Sequence, residues 1–206
     1  MPGTALSIHV IIGSTRRNRF SEKPARYVFD ELTKEDGVQT ELIDLRDWPL
    51  PFFDEPITPT RINGNYSVEI ARRWAAKVGE ADGFIMVTPE YNHGYPAVLK
   101  NAIDWVFPEW NRKPVGFVGY GNAGGARAIE QLRQVVIEMQ MLPLRNAVHI
   151  PGEVYLAVLK ETVPVNPELF KPLRQGRGGD RLGMFFRELI DLAQTMKTAR
   201  AAVAAR

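Results

Sequence analysis

The sequence predicts an α/β protein built on a parallel sheet with helices on both faces. Strand-length apolar runs alternate with amphipathic helical stretches, and polar or glycine-rich loops follow several of the runs. The first run, Leu6 to Ile12, is almost continuously apolar, as a central strand covered on both faces must be. A chain of 206 residues, 45% of them hydrophobic, is long enough to bury a full core as one domain spanning residues 1–206.

Gly13 to Phe20 is a polar, arginine-rich loop, and a helix is expected from about Ser21. Ser21 is a capping residue, and Pro24 is tolerated in a first turn whose amides lack helical partners. Tyr27, Val28 and Leu32 give this helix its apolar stripe, and Gly37 ends it. Val38 to Leu45 reads as the second strand. Asp47 to Asn65 carries four prolines, Pro49, Pro51, Pro56 and Pro59, and is expected to be neither helix nor central strand. Tyr66 to Val78 is a helix, Gly83 to Val87 the third strand, and Ala97 to Val106 a further helix. Val115 to Gly119 is the fourth strand, Gly121 to Gly125 a glycine-rich loop, and Ala126 to Met139 a helix. Ala147 to Ile150 is a short fifth strand. Residues 151–180 form a proline- and glycine-rich irregular excursion, and Arg181 to Arg200 a closing helix. Five such strands fit the flavodoxin-like order 2-1-3-4-5, a three-layer sandwich whose ligand crevice lies at the carboxyl ends of strands one and three.

Composition removes several classes of function. The net charge of +2 comes from 26 basic and 24 acidic residues, which makes no case for nucleic acid. The absence of cysteine excludes disulfides, thiol catalysis and cysteine-ligated metal centres. Met1-Pro2-Gly3-Thr4 leads straight towards a strand with no signal-peptide pattern, and no apolar run approaches the roughly 20 residues of a membrane span. A cytoplasmic protein is expected.

The loops after strands one, three and four should meet at one edge. In Gly13-Ser14-Thr15-Arg16-Arg17-Asn18-Arg19-Phe20-Ser21 the hydroxyls, the forked cations and the following helix N-terminus fit a phosphate monoester. An exposed basic turn that binds nothing has the same composition. The Gly-Lys-Ser/Thr ending of a triphosphate loop and the Gly-x-Gly-x-x-Gly dinucleotide fingerprint are both missing. The second loop, Pro89 to Gly94, presents Tyr91, Asn92 and His93, with backbone amides from Glu90 to Asn92 that suit a planar, heteroatom-rich ring. The third, Gly119 to Ala126, permits close approach of a flat ligand or an anion before a helix. Either of these loops alone is also explained as an ordinary turn. His93 reads as a loop histidine and His9 and His149 as structural. Three scattered histidines without nearby carboxylate spacing indicate no metal site.

Gly13-Ser14-Thr15-Arg16 with Arg19, Pro89-Glu90-Tyr91-Asn92, Leu99-Lys100-Asn101-Ala102-Ile103-Asp104-Trp105 and Gly124-Gly125, in that order, resemble the NAD(P)H-dependent FMN reductase family, with its quinone, azo-dye and chromate reductases. The resemblance spans roughly residues 6–150. It implies FMN phosphate contacts from Ser14, Arg16, Arg19, Phe20 and Ser21. It implies ring contacts from Pro89, Glu90, Tyr91, Asn92 and Gly94, and further contacts from Gly121, Gly124 and Gly125. It assigns Lys100, Asn101, Asp104 and Trp105 to framework and subunit contacts. Trp105, Phe107 and Trp110 then serve a subunit interface or plain core packing, and a homodimer or homotetramer is expected. The implied activity passes hydride from NADPH or NADH to bound FMN and then two electrons to a quinone, azo compound, chromate or flavin acceptor. Flavin carries that chemistry, so no catalytic side chain is assigned. The alternatives are an electron carrier without its own NAD(P)H activity, against which the near-neutral charge argues, and a scaffold that has lost flavin.

Overall fold

The computed structural model describes residues 5–62, 64–176 and 179–205. Its sheet is parallel, in the order β2 (Val38–Asp44), β1 (Leu6–Ile12), β3 (Gly83–Pro89), β4 (Pro114–Tyr120), β5 (Leu142–Pro143). A second short piece, β6 (Val148–His149), also pairs with β4. The fifth position is therefore split. Leu142 and Pro143 lie beside Pro114 and Val115, and Val148 and His149 beside Val118 and Gly119. The predicted fifth strand, Ala147 to Ile150, is the second of these pieces.

Alternation along β1 sends side chains to two cores. Ile8, Val10 and Ile12 pack with Val28 and Leu32 of α1 (Glu22–Leu32) and Phe186 and Leu189 of α7 (Arg181–Ala204). Ile11 joins Phe84 and Met86 on the opposite face. That face is covered by Trp74 of α3 (Glu69–Glu80), Ile103 of α4 (Ala97–Asp104) and Leu132 of α5 (Ala126–Glu138). Trp105 and Trp110 are 1% and 0% exposed within this second core, so the aromatic run after α4 is core packing within the chain.

Two irregular segments are more ordered than their proline content suggests. The connection after β2 holds a one-turn helix, α2 (Pro59–Ile62), with Pro59 at its first position, where no amide is missed. Its earlier part is pinned to α4. The Asn101 side chain accepts from Phe53 N at 3.0 Å and donates to Pro51 O at 2.8 Å, and Trp105 Nε1 donates to the same carbonyl at 2.6 Å. The excursion at 151–180 contains α6 (Gly152–Leu159) and a 3-10 helix at Pro167–Leu173. Arg174 forms ion pairs with Glu31 and Asp180, tying the end of the excursion to α1. Arg177 and Gly178, in the arginine- and glycine-rich stretch whose role the sequence left open, lie outside the described residues, as do Met1 to Thr4.

Gly116 lets α7 approach β4. A Cβ built there falls 2.4 Å from Phe185 and 2.9 Å from Leu144. Substitution by valine forces α7 outwards and is expected to cost about 1–3 kcal/mol, the scale of overpacking. At this chain size that lowers the thermal midpoint by roughly 2–4 °C per kcal/mol. Calorimetry on Gly116→Val checks it; an unchanged midpoint contradicts the packing role.

Candidate functional site

The carboxyl ends of β1, β3 and β4 meet at one edge because their register is continuous. Ile12 lies opposite Val87, and Pro89 opposite Tyr120. Gly13 N extends the ladder to Val87 O at 2.8 Å. A Cβ on Gly13 would lie 2.8 Å from that carbonyl, so glycine alone fits where the first loop leaves the sheet. The three loops border one open cleft of about 710 Å³, lined by Arg16, residues 89–93, 120–122, Arg127, Gly152, Tyr155 and Leu156. This volume suits a small-molecule ligand.

The first loop ends on α1. Arg16 is exposed on the cleft, with no ion-pair partner among the described residues. Ser14 is buried, and its Oγ lies 3.0 Å from the Tyr91 hydroxyl, linking the first and second loops. Ser21, immediately before α1, is fully buried, and its Oγ has no hydrogen-bond partner. Of the first-turn amides of α1, Lys23 N donates to Phe20 O and Ala25 N to Ser21 O, Pro24 has none, and Glu22 N alone has no acceptor among the described residues. A buried hydroxyl without a partner beside a helix N-terminus and a free arginine fits an anionic group. The Phe20 ring is buried against Tyr120 and Tyr155, at centroid distances of 4.8 and 4.6 Å, so its side chain is part of the wall. Burial holds the Tyr120 phenol well above its usual pKa, and the nearby Ser21 opposes that shift only in part.

Arg19 is a correction to the sequence reading. Its side chain is 1% exposed and turned away from the cleft, towards β2. Nη1 donates to Asp44 Oδ1 at 2.7 Å and to Ser14 O at 2.8 Å, and Nη2 donates to Asp44 Oδ2. Its terminal nitrogens therefore brace the loop from behind, and Nε alone has no partner.

The second loop turns through Asn92 and His93, with φ of 49° and 68°. Tyr91 N donates to Gly94 O at 2.7 Å and Gly94 N to Tyr91 O at 2.9 Å, which closes a two-residue hairpin of the type that needs left-handed central residues. These bonds change one expectation. Glu90 N is taken by Tyr120 O and Tyr91 N by Gly94 O, so Asn92 N–H alone of the three has no acceptor among the described residues. Gly94 packs against the Gln131 carboxamide and does not line the cleft.

The third loop presents Gly121 to the cleft at φ 144°, where a Cβ would press on Glu90 Cβ at 3.2 Å. Gly124 and Gly125 do other work. A Cβ on Gly125 would lie 2.6 Å from Tyr120 N, and one on Gly124 would lie 3.1 Å from His149 Cβ. These two glycines let the loop fold back over β4 and start α5; neither lines the cleft.

Tyr120, Asn122, Arg127, Gly152, Tyr155 and Leu156 line the cleft without having been singled out in the sequence, and His93, read as a bland loop residue, joins them. Tyr120 was discoverable, since it sits between a strand end and the glycine loop. No sequence signal marked Tyr155 or Leu156. The structure also brings Glu41 and Glu80 beside His9, a proximity invisible in residue spacing. The Lys77 ammonium lies at 3.0 and 2.6 Å from those two carboxylates and bridges them.

The strand order and the crevice between the β1 and β3 loops define a flavodoxin-like α/β protein. A family profile described as NADPH-dependent FMN reductase matches residues 6–154. An NAD(P)H-dependent FMN reductase of Schizosaccharomyces pombe is 41% identical over 148 residues, covering 71% of this chain and 74% of that protein. An NADPH:quinone oxidoreductase of Arabidopsis thaliana is 33% identical over 142 residues, covering 66% and 69%. Among solved structures, the flavoenzyme NAD(P)H:(acceptor) oxidoreductase FerB of Paracoccus denitrificans superposes with a TM-score of 0.65 at 23% identity, covering 93% of this chain and 99% of that one, a likeness of fold. The chain belongs to the NADPH-dependent FMN reductase family and is an FMN-dependent NAD(P)H oxidoreductase.

Glu90 supplies a pH test of the site's electrostatics. Its side chain is 6% exposed and paired with Arg127, whose amide also donates to it at 3.1 Å. Burial pushes the carboxyl pKa up, but the Arg127 side-chain and backbone hydrogen bonds outweigh it, and the net shift is downwards. A depressed folded pKa contributes stability above the unfolded value of about 4.3, lost as pH falls through the folded one. Arg127→Gln is therefore expected to raise the Glu90 pKa in a carboxyl NMR titration and to shrink the loss of stability below about pH 4. An unchanged Glu90 pKa contradicts the pairing.

Proposed function

We propose that the cleft holds FMN with its phosphate against the first loop and the α1 N-terminus, and its ring between the second and third loops. The observation that carries this reading is the convergence of Arg16, Pro89 to Asn92 and Gly121 on one cleft, beside the orphaned Ser21 hydroxyl. Arg16, Ser14, Ser21 and the Glu22 amide bind the anion. The Asn92 amide and side chain hold the ring edge, Tyr91 flanks the ring, and Gly121 permits close approach. Bound FMN supplies the redox chemistry, taking hydride from NAD(P)H and passing two electrons to an acceptor. The chain's own task is to hold donor and acceptor against one ring face at about 3–3.5 Å. No side chain needs to transfer a proton for the hydride step.

The acceptor this cleft suits best is a planar quinone. Tyr155 and Leu156 of α6 give it an apolar wall, and Leu156 is 66% exposed with no packing role to explain its place. Such a wall favours a flat organic acceptor over chromate; azo compounds and free flavin are the comparison substrates. We further infer that residues 1–206 act as one cytoplasmic domain, supported by the two cores shared across a single sheet. Among the described residues, no helix is long and apolar enough to cross a membrane. The inferred assembly is a homodimer or homotetramer. The exposed Phe52 and Ile57 of the proline-rich connection offer apolar surface for it, and a monomer in light scattering removes that inference.

Purified protein is expected to bind FMN and to oxidise NAD(P)H with a benzoquinone acceptor. Arg16→Ala should weaken FMN by roughly 1–3 kcal/mol, the scale of a charge-assisted hydrogen bond. Flavin fluorescence titration reads this directly, and an unchanged affinity rejects the phosphate placement.

A further inference from the structure

The first loop is held from behind by two arginines that contact consecutive carbonyls. Arg19 Nη1 donates to Ser14 O at 2.8 Å. Arg46, in the 3-10 turn Leu45–Asp47 that follows β2, donates through Nε to Thr15 O at 3.3 Å and through Nη2 to Arg16 O at 2.6 Å. Asp44 organises both: its carboxylate receives Arg19 and also accepts from Arg46 N at 2.9 Å. Glu22 of α1 adds a second carboxylate, 3.6 Å from Arg19 Nη2.

These contacts have a directional consequence. In a planar trans peptide the carbonyl and the following N–H point in opposite directions. Among the described residues the cis peptide bond is Val163–Pro164, so the peptides of the first loop are trans. Drawing the carbonyls of Ser14, Thr15 and Arg16 towards β2 aims the amides of Thr15, Arg16 and Arg17 the other way. Arg16 N confirms the direction. It points at Ser14 Oγ, 3.4 Å away, which in turn meets the Tyr91 hydroxyl on the cleft. Consecutive amides presented together make an anion-binding nest.

We propose that Arg19, Arg46 and Asp44 are positioning residues that turn the Thr15 and Arg17 amides, on either side of the Arg16 amide held by Ser14 Oγ, into the cleft to receive a phosphate monoester. None of the three touches the ligand. Arg19 is buried with both terminal nitrogens engaged by Asp44 and Ser14 O, and Arg46 spends its guanidinium on the outer side of the loop. The proposal rests on the FMN placement above and extends it to residues behind the loop.

The test compares FMN with riboflavin, which has the same ring and lacks the phosphate. Dissociation constants are measured by flavin fluorescence for the wild type, Arg46→Met, Asp44→Asn and Arg16→Ala. Arg46 is exposed, so Arg46→Met keeps the fold accessible even where Asp44→Asn does not. The expected result is a rise of about 10-fold in the FMN constant for Arg46→Met, with the riboflavin constant unchanged. The rise should persist near 1 M salt, where screening acts within about 3 Å and a through-space charge effect is lost. Equal weakening of both ligands indicates a general structural role and overturns the proposal, as does no weakening or an effect that salt abolishes. If Arg16→Ala loses FMN selectivity while Arg46→Met keeps it, the FMN placement stands and the positioning role alone falls. A wild type that binds FMN no better than riboflavin overturns both.

Discussion

The parallel ladder joining β1, β3 and β4 is the constraint on which the rest depends. Its register sets Ile12 against Val87 and Pro89 against Tyr120, so three loops separated by long stretches of chain leave the sheet at one height. Parallel strands connected by helices all deliver their carboxyl ends to the same edge. A cleft there is a product of topology before any side chain is specified. What the residues add is a wall on each side: Arg16 from the first loop, tyrosine and asparagine from the second, and Gly121 with Asn122 from the third.

The outer arginines of the first loop, Arg16 and Arg19, show how one residue type divides into two tasks. Arg16 stands free on the cleft, while Arg19, three residues later, turns under the loop to Asp44. Burying a guanidinium is tolerable only where its charge and donors are matched, and Asp44 with Ser14 O matches all but Nε. A cation that faces the cleft and one that braces the loop are indistinguishable in a motif. Only the location of the partner carboxylate, supplied by the neighbouring strand β2, separates them.

The glycines divide in the same way. Gly121 faces the cleft, whereas Gly124 and Gly125 are required where the chain folds back over β4 with no room for a Cβ. The α6 helix completes the site from a segment that reads as irregular. Its Tyr155 closes an aromatic group with Phe20 and Tyr120, and its last carbonyls receive Lys23 Nζ from the first turn of α1 at 2.9 and 2.6 Å. Thus α6 is fastened to the helix that begins beside the phosphate loop. Its position follows from that long-range bond and from ring packing, neither of which leaves a periodic trace.

The four long strands, the helices that follow them and the closing helix, the strand order and the three loops of the site were legible in the residues, because hydrophobic periodicity and glycine or proline placement act locally along the chain; α2, α6 and the Leu142–Pro143 piece were not. The same locality let four ordered motifs identify the family. Which arginine faces the cleft, which backbone amides are already occupied, which glycines merely pack, and that Tyr155 and Leu156 wall the cleft were decided only by tertiary structure. Each of those outcomes turns on a partner distant in sequence, and a hydrogen bond or a close contact between distant segments exists only once the chain has folded.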